Sequence, residues 1–139
     1  DGWTAFMLAC MNGNKDVVKL LLNNYKRIEL NARCNHGWTA FILACENGHR
    51  DVVKLLLDHK DSNIEHNART TTGLTAFLLA CRQQHKDIVI LLLEHSDIDI
   101  SGYEGLPQEM RDFIELHQEA SKELKRFNEI HQTKRRKLS

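Results

Sequence analysis

The sequence predicts an all-α solenoid in which short helical units stack side by side. One phrase of nine residues, Gly-Trp-Thr-Ala-Phe-Met-Leu-Ala-Cys in its first copy, occurs three times, at residues 2–10, 37–45 and 73–81. A second apolar phrase, Asp-Val-Val-Lys-Leu-Leu-Leu or a close variant, follows each copy at the same distance. The offsets are 35 and 36 residues, and self-similarity at such a period is typical of stacked repeats, because each thin unit buries its apolar face only against its neighbours.

Two helices are expected in each unit. The threonine of the first phrase stands directly before an apolar run, as helix N-caps do: Thr4, Thr39 and Thr75. Asn-Gly follows the first helix at residues 12–13 and 47–48 and can close it in the left-handed conformation, whereas the third unit has Gln83 and Gln84 there. A second helix is predicted over residues 15–23, 50–58 and 86–94. Its apolar residues are too many for a narrow stripe, so we expect it to be mostly buried.

Polar segments separate the units, at residues 24–36, 60–72 and 95–104. They contain alternating sequences such as Ile-Glu-Leu-Asn-Ala-Arg and lead to a Gly turn, a pattern that favours extended, hairpin-like fingers. The predicted units are residues 1–35, 36–71 and 72–104, followed by a helical region at 105–133 and a basic tail at 134–139.

The region after Gly105 admits two interpretations. Pro107 marks a helix start, and apolar residues keep helical spacing as far as Ile130. We favour one long helix to about Thr133, whose first half caps the stack, because no Gly or Pro marks a turn. The alternative is a degenerate fourth repeat, with two helices that meet near Leu116 and His117.

Composition and motifs argue against an enzyme. Nineteen Lys and Arg balance nineteen Asp and Glu, so no overall field steers the chain toward nucleic acid or a membrane surface. No apolar run approaches the roughly 18 residues that a membrane helix needs. Phosphate loops, His-Glu-x-x-His, nucleophile elbows and dinucleotide fingerprints are absent. We therefore expect no catalytic residue, cofactor, metal or small-molecule substrate, no membrane insertion, and a structural role for His49 and His85 at the entry to the second helix.

The four cysteines predict a reducing compartment. Cys10, Cys45 and Cys81 occupy equivalent positions, about 8 to 10 Å apart on stacked helices, which is too far for a disulfide that needs Cα atoms within about 7 Å. We expect these three thiols to be buried and Cys34, in a turn, to be exposed. Unpaired cysteines indicate an intracellular protein, cytoplasmic or nuclear. The start at Asp1 and the apolar first unit suggest a piece of a larger protein with further repeats before it.

The repeated residues resemble those of the ankyrin repeat. Gly-x-Thr-x-x-x-Leu-Ala, Gly48-His49, the Val-Val-Lys-Leu-Leu-Leu helix and Asn-Ala before the next finger carry the resemblance, over residues 1 to about 104. The family's Thr-Pro-Leu-His is replaced by Thr-Ala-Phe with Met7, Ile42 or Leu78, which puts apolar bulk in place of a helix-start proline and a histidine.

The resemblance implies a protein-binding module that recognises its partner through the finger tips and the exposed side of the first helices. It assigns this role to Trp3, Met11, Asn12, Arg33, Asn35, His36, Trp38, Glu46, Asn47, Arg69, Thr71, Thr72, Leu74, Arg82 and Gln83. Trp and Arg are enriched at interface hot spots. The two tryptophans could instead pack between fingers and hold the stack straight.

A basic run ends the chain. Lys134, Arg135, Arg136 and Lys137 match a short nuclear-localisation pattern, and such clusters also occur as solvated helix ends. The alternative function is therefore a scaffold whose basic C-terminal segment binds nucleic acid, acidic partners or an import receptor.

Overall fold

The computed structural model describes residues 2–139, and Asp1, which opens the first predicted unit, lies outside the described residues. The chain divides into two compact units, which meet between Tyr103 and Glu104 in the sequence. The α-helices of the first are α1 Ala5–Met11, α2 Lys15–Asn23, α3 Ala40–Glu46, α4 Arg50–Asp58, α5 Ala76–Arg82 and α6 Lys86–Glu94, and a 3-10 turn, Tyr25–Arg27, opens the first segment that was predicted to be extended. The second contains α7 Gln108–Leu138. No strand occurs within residues 2–139, so the all-α prediction is confirmed.

The six helices of the first unit form two rows. Helix α3 contacts α1 on one side and α5 on the other, and α4 likewise lies between α2 and α6. Each short first helix packs against the second helix of its own repeat. The predicted solenoid is thus confirmed, and its second helices have the predicted bounds.

The threonine caps also form as predicted. The hydroxyl oxygen of Thr4 accepts a hydrogen bond of 3.1 Å from the backbone N–H of Met7, and Thr39 and Thr75 accept the equivalent bonds at 3.2 Å. Each cap satisfies one of the backbone donors that a helix N-terminus leaves unpaired. The cap determines the residue at which the helix begins. It therefore also holds in place the residue before the threonine, at the end of the finger.

Residues in the left-handed backbone conformation close the first helices. Gly13 and Gly48 have φ values of 69° and 79°, and Gln84 takes the same conformation at 58°. A Cβ on Gly48 would lie 2.7 Å from Cε1 of His85, so the next repeat leaves no room for a side chain there. Gln84 is exposed, which explains how a longer residue is accommodated in the third repeat.

The middle repeat has the most complete core. Every residue of α3 from Ala40 to Cys45 is buried, and α4 buries Val52, Val53, Leu56 and Leu57. The prediction that the second helices are mostly buried is wrong: α4 and α6 bury four and three of their nine residues, and α2 buries only Val18 and Leu22 and leaves Leu20 64% exposed. Helix α2 belongs to the first repeat, and among the described residues only one neighbouring repeat covers it.

The region after Gly105 contains one helix of 31 residues, Gln108–Leu138, so the two-helix alternative is wrong. The helix does not stop near Thr133 but continues to Leu138, and the basic tail is helical. Lys and Arg are good helix formers, and positive charge near a helix C-terminus is favourable. Met110 and Ile114 are buried, while every residue from Lys122 onward is exposed. The capping role of α7 and the boundaries between units stay predictions.

Candidate functional site

An open groove of about 450 Å³ lies between the first two repeats. Both tryptophans of the chain line it. The full lining is Trp3, Met11, Cys34, Asn35, His36, Trp38, Leu43, Glu46 and Asn47. All of these except Cys34 and Leu43 are residues that the sequence assigned to a binding strip, so the fold brings the first part of that strip together.

Helix capping and a tight finger turn position the tryptophans. Trp3 and Trp38 each precede the capping threonine of a first helix. The carbonyl oxygen of Trp38 accepts a hydrogen bond of 3.1 Å from the N–H of Cys34, and the N–H of Gly37 donates one of 2.8 Å to the Cys34 carbonyl. Trp3 is 44% exposed and Trp38 is half-buried. The groove therefore offers aromatic surface to solvent from a rigid backbone.

The other wall of the groove is built from the ends of α1 and α3. Nε2 of His49 donates a hydrogen bond of 2.7 Å to the carbonyl oxygen of Met11, and Nε2 of His85 donates one of 2.9 Å to that of Glu46. Each histidine thus satisfies a carbonyl at the C-terminus of the preceding first helix. The structural role predicted for both histidines is confirmed, and it places Met11 and Glu46 beside the tryptophans.

The remaining residues of the predicted strip lie outside the groove. The backbone N–H and the hydroxyl of Thr71 both donate to the carbonyl of His36, at 3.0 and 3.2 Å, and so join the second finger to the first. Nε2 of Gln83 donates to Oε1 of Glu46 at 3.2 Å. Of the others, Leu74 is half-buried. The rest are exposed: Asn12, Arg33, Arg69, Thr72 and Arg82.

Two of the predicted arginines bridge neighbouring fingers. Arg33 donates to the Glu65 carboxylate and to the carbonyl of Arg69, both at 3.2 Å. Arg69 repeats the pattern with Asp99 at 3.1 Å and bonds to Ser101 as well. The arginines and carboxylates of these pairs are about half exposed, so solvent screens each ion pair and it contributes little stability. Their contacts run from finger to finger rather than into the groove.

Asparagines form a parallel ladder between the fingers, which sequence reasoning missed. Nδ2 of Asn31 donates to the carbonyl of Asn63 at 2.6 Å, and its Oδ1 accepts from the N–H of Glu65 at 2.8 Å. Asn67 makes the same two bonds one repeat later, with Asp97 and Asp99, at 2.6 and 2.9 Å. The Asn-Ala-Arg sequence shared by two fingers is the signal that could have indicated this ladder.

Comparison with known proteins now decides the family. The sequence matches the family described as ankyrin repeats (three copies) over residues 1–70. It matches the family of the single ankyrin repeat over residues 72–103. The chain belongs to the ankyrin-repeat family. Ankyrin repeats are protein–protein interaction modules and are in general not enzymes.

A solved structure supports the fold of this ankyrin array. The chain is similar, at 27% sequence identity and a TM-score of 0.60, to a chain from a solved complex. That complex contains the predatory endopeptidase Bd0816 from Bdellovibrio bacteriovorus and the immunity protein Bd3460. The alignment covers 69% of this chain and 48% of the matched chain, so it spans about half of that relative. A comparison with curated protein sequences gave no match.

The cysteines of the ankyrin array depart from prediction at one position. Cys10, Cys45 and Cys81 are free and buried as expected, and burial raises the pKa of Cys10 and of Cys81 to about 12 and that of Cys45 further still. The predicted exposure of Cys34 is wrong, because it is only 8% exposed. The backbone N–H of Cys34 donates to the Trp38 carbonyl and closes the finger turn. Cys34 is therefore held at the base of the groove that it helps to line.

A pair of histidines between the second and third repeats was also missed. The ring of His66 lies 4.9 Å from that of Phe41 and 5.2 Å from that of His95, centroid to centroid. Burial lowers the pKa of His66, and the neighbouring His95 lowers it further, against the raising effects of the Leu56 backbone and Asp97. Spacing gave no signal, because these histidines occupy different positions in their repeats.

Within residues 2–139, no group of three or more His, Cys, Asp or Glu side chains could hold a metal ion. None of the helices in this range is both long and apolar enough to cross a membrane.

Proposed function

We propose that this ankyrin array binds a protein partner in the groove between its first two repeats, and that it binds rather than catalyses. The observation that carries the proposal is the convergence of Trp3, Trp38 and Met11 on one open groove. Large, rigid aromatic side chains give much contact area at low entropic cost, and they dominate interface hot spots.

The chemistry of the groove indicates the kind of segment that fits. Its apolar part comes from the tryptophans, Met11 and the buried Leu43, and its polar rim from His36 and Glu46. An apolar or aromatic side chain would occupy the centre, while neighbouring backbone or polar groups would bond to the rim. An apolar centre with a polar rim is the usual anatomy of protein interfaces.

Preorganisation supports recognition by this surface. The finger turns, the His49 and His85 bonds and the asparagine ladder hold both walls in place before a partner arrives. A surface that is already ordered loses little conformational entropy on association. The similar chain from the Bd0816–Bd3460 complex also comes from a protein–protein assembly, which is in line with the proposal.

Intrinsic fluorescence provides a direct test, because Trp3 and Trp38 are the only tryptophans of the chain. Peptides are selected on the immobilised protein from a random library and titrated into the protein in solution. The proposal predicts a saturable shift in tryptophan emission, and Trp3→Phe and Trp38→Phe assign the shift to each side chain. Peptides that bind tightly without changing the emission would place the binding site elsewhere.

A further inference from the structure

The C-terminal half of α7, residues 121–138, carries an exposed apolar stripe. Leu124, Phe127 and Ile130 are 61%, 57% and 55% exposed, and Leu138 is 88% exposed. Single exposed apolar side chains are common. These four, however, fall within one half of the helix surface at about 100° per residue, and between Leu124 and Leu138 the stripe is about 21 Å long at 1.5 Å per residue.

The same segment is strongly basic. From Ser121 onward seven Lys and Arg stand against Glu123 and Glu129. At about 100° per residue, the half of the helix opposite the stripe carries Lys122, Lys125, Arg126 and Arg136 together with Glu129, whereas Glu123 and Lys134 lie within the half that carries the stripe. Lys122 lies 3.5 Å from the exposed Glu119 carboxylate, a surface pair that holds it only weakly. The helix therefore presents an apolar stripe that includes two charged residues and, opposite it, a face with net positive charge.

These two faces restrict the partner. A second copy of this helix would bring like charges together, which opposes self-association. An anionic lipid bilayer binds basic amphipathic helices in its interface, but burying the stripe there would also draw Glu123 and Lys134 toward the hydrocarbon without partners, which is costly for charged groups. Nucleic acid would engage the cations and leave Leu124, Phe127 and Ile130 in water. A protein that closes around the helix can contact both faces and supply polar partners for Glu123 and Lys134.

We propose that residues 121–138 are a docking helix for an acidic protein that encloses it. The partner would receive Leu124, Phe127 and Ile130 in an apolar groove and place carboxylates against the opposite lysines and arginines. Amphipathic helices are bound in this way by groove-forming proteins, whose flexible, Met-rich linings adapt to different side chains. This site is separate in sequence from the groove residues and does not depend on the function proposed for them.

Calcium-loaded calmodulin is a suitable probe, because it is acidic and forms an apolar groove for amphipathic helices. The full 139-residue chain is titrated with it by isothermal calorimetry. We expect saturable binding that weakens as salt is raised. The Leu124→Ala, Phe127→Ala double variant should bind at least about tenfold more weakly, and so should Lys125→Glu, Arg126→Glu.

Leu20→Ala is the matched control, since Leu20 is 64% exposed and lies outside α7, and it should leave the affinity unchanged. The absence of calmodulin binding, or binding that neither α7 double variant weakens, would overturn the proposal. It would also be overturned if phosphatidylserine vesicles or duplex DNA bound the chain through residues 121–138 more tightly than calmodulin does. A dimer in sedimentation equilibrium that Phe127→Ala dissociates would assign the stripe to self-association instead.

Discussion

Nε2 of His85 donates a hydrogen bond of 2.9 Å to the carbonyl oxygen of Glu46, across a separation of 39 residues in the sequence. This bond joins the turn before α6 to the last residue of α3, whose side chain lines the groove. A bond that holds two repeats together also sets one wall of the candidate site. The His85 side chain therefore links the stability of the array to the geometry of the candidate binding site.

Replacement of His85 should destabilise the array. His85→Ala removes the donor and leaves the half-buried Glu46 carbonyl without it, which costs about 1 to 3 kcal/mol of unfolding free energy. Urea unfolding followed by circular dichroism measures the loss. His36→Ala is the control, because its side chain is exposed on the first finger, and it should cost less than about 0.5 kcal/mol. Equal losses in the two variants would mean that the His85 bond is not structural.

Gln84→Gly should stabilise the protein. Gln84 has a φ of 58°, a conformation that costs a non-glycine residue on the order of 1 kcal/mol. Part of this gain is offset by the greater entropy of glycine in the unfolded chain, so we expect a net gain of about 0.5 kcal/mol. Gly48→Ala should have the opposite effect, since it introduces a Cβ 2.7 Å from the His85 ring. A Gln84→Gly variant that is less stable than wild type would show that the glutamine side chain makes a compensating contact.

The four cysteines should resist modification in the native state. All are buried, and the raised pKa values of Cys10, Cys45 and Cys81 keep them protonated at neutral pH, whereas the thiolate is the reactive form. A colorimetric thiol reagent should detect little or no rapid reaction in buffer and four groups in denaturant. Rapid native labelling of one thiol, if mass spectrometry assigns it to Cys34, would mean that the finger turn opens readily.

Acidification should destabilise the array through His66. The pKa of His66 in the folded protein lies below the ordinary value of 6.5. Just below pH 6.5, His66 is therefore protonated in the unfolded chain but still largely neutral in the folded protein. Stability is therefore full above about pH 6.5 and falls as the pH drops toward the folded pKa. The groups that face the ring are His95, Asp97, Phe41 and the Leu56 backbone.

Urea midpoints at about pH 7.5 and about pH 5.5 measure this effect. The drop between them should be smaller in His66→Gln than in wild type. His131→Gln, at an exposed position of α7, should leave the drop unchanged. A drop of the same size in His66→Gln would assign the acid sensitivity to another group.

Local chemistry made much of the fold predictable from sequence. The starts of the first helices follow from the capping threonines, and the second helices follow from the apolar phrase that recurs after each of them. Three copies in register make the stacking evident. The length of α7 was underestimated because no Gly or Pro ends it, and Lys and Arg propagate a helix rather than break it.

The candidate site was less predictable because it depends on contacts between repeats. Position in the repeat was enough to place Trp3 and Trp38 on one strip. The bonds of Arg33 to Glu65, of Asn31 to Asn63 and of Cys34 to Trp38 depend on how far one finger is shifted against the next or on how a finger folds back. A single sequence carries no direct record of that geometry.

The affinity of the Trp38→Ala variant for a selected peptide shows whether the groove between the first two repeats is the binding site. Because the Trp38 side chain lines the groove rather than the helix-to-helix core, we expect a loss of at least about 2 kcal/mol in binding free energy, with the helical content and the urea midpoint nearly unchanged. Lys26→Ala and Lys60→Ala, at exposed positions outside the groove, should bind like wild type. A Trp38→Ala variant that binds with wild-type affinity and unfolds at lower urea would show that Trp38 is a structural residue and that the partner binds outside the groove.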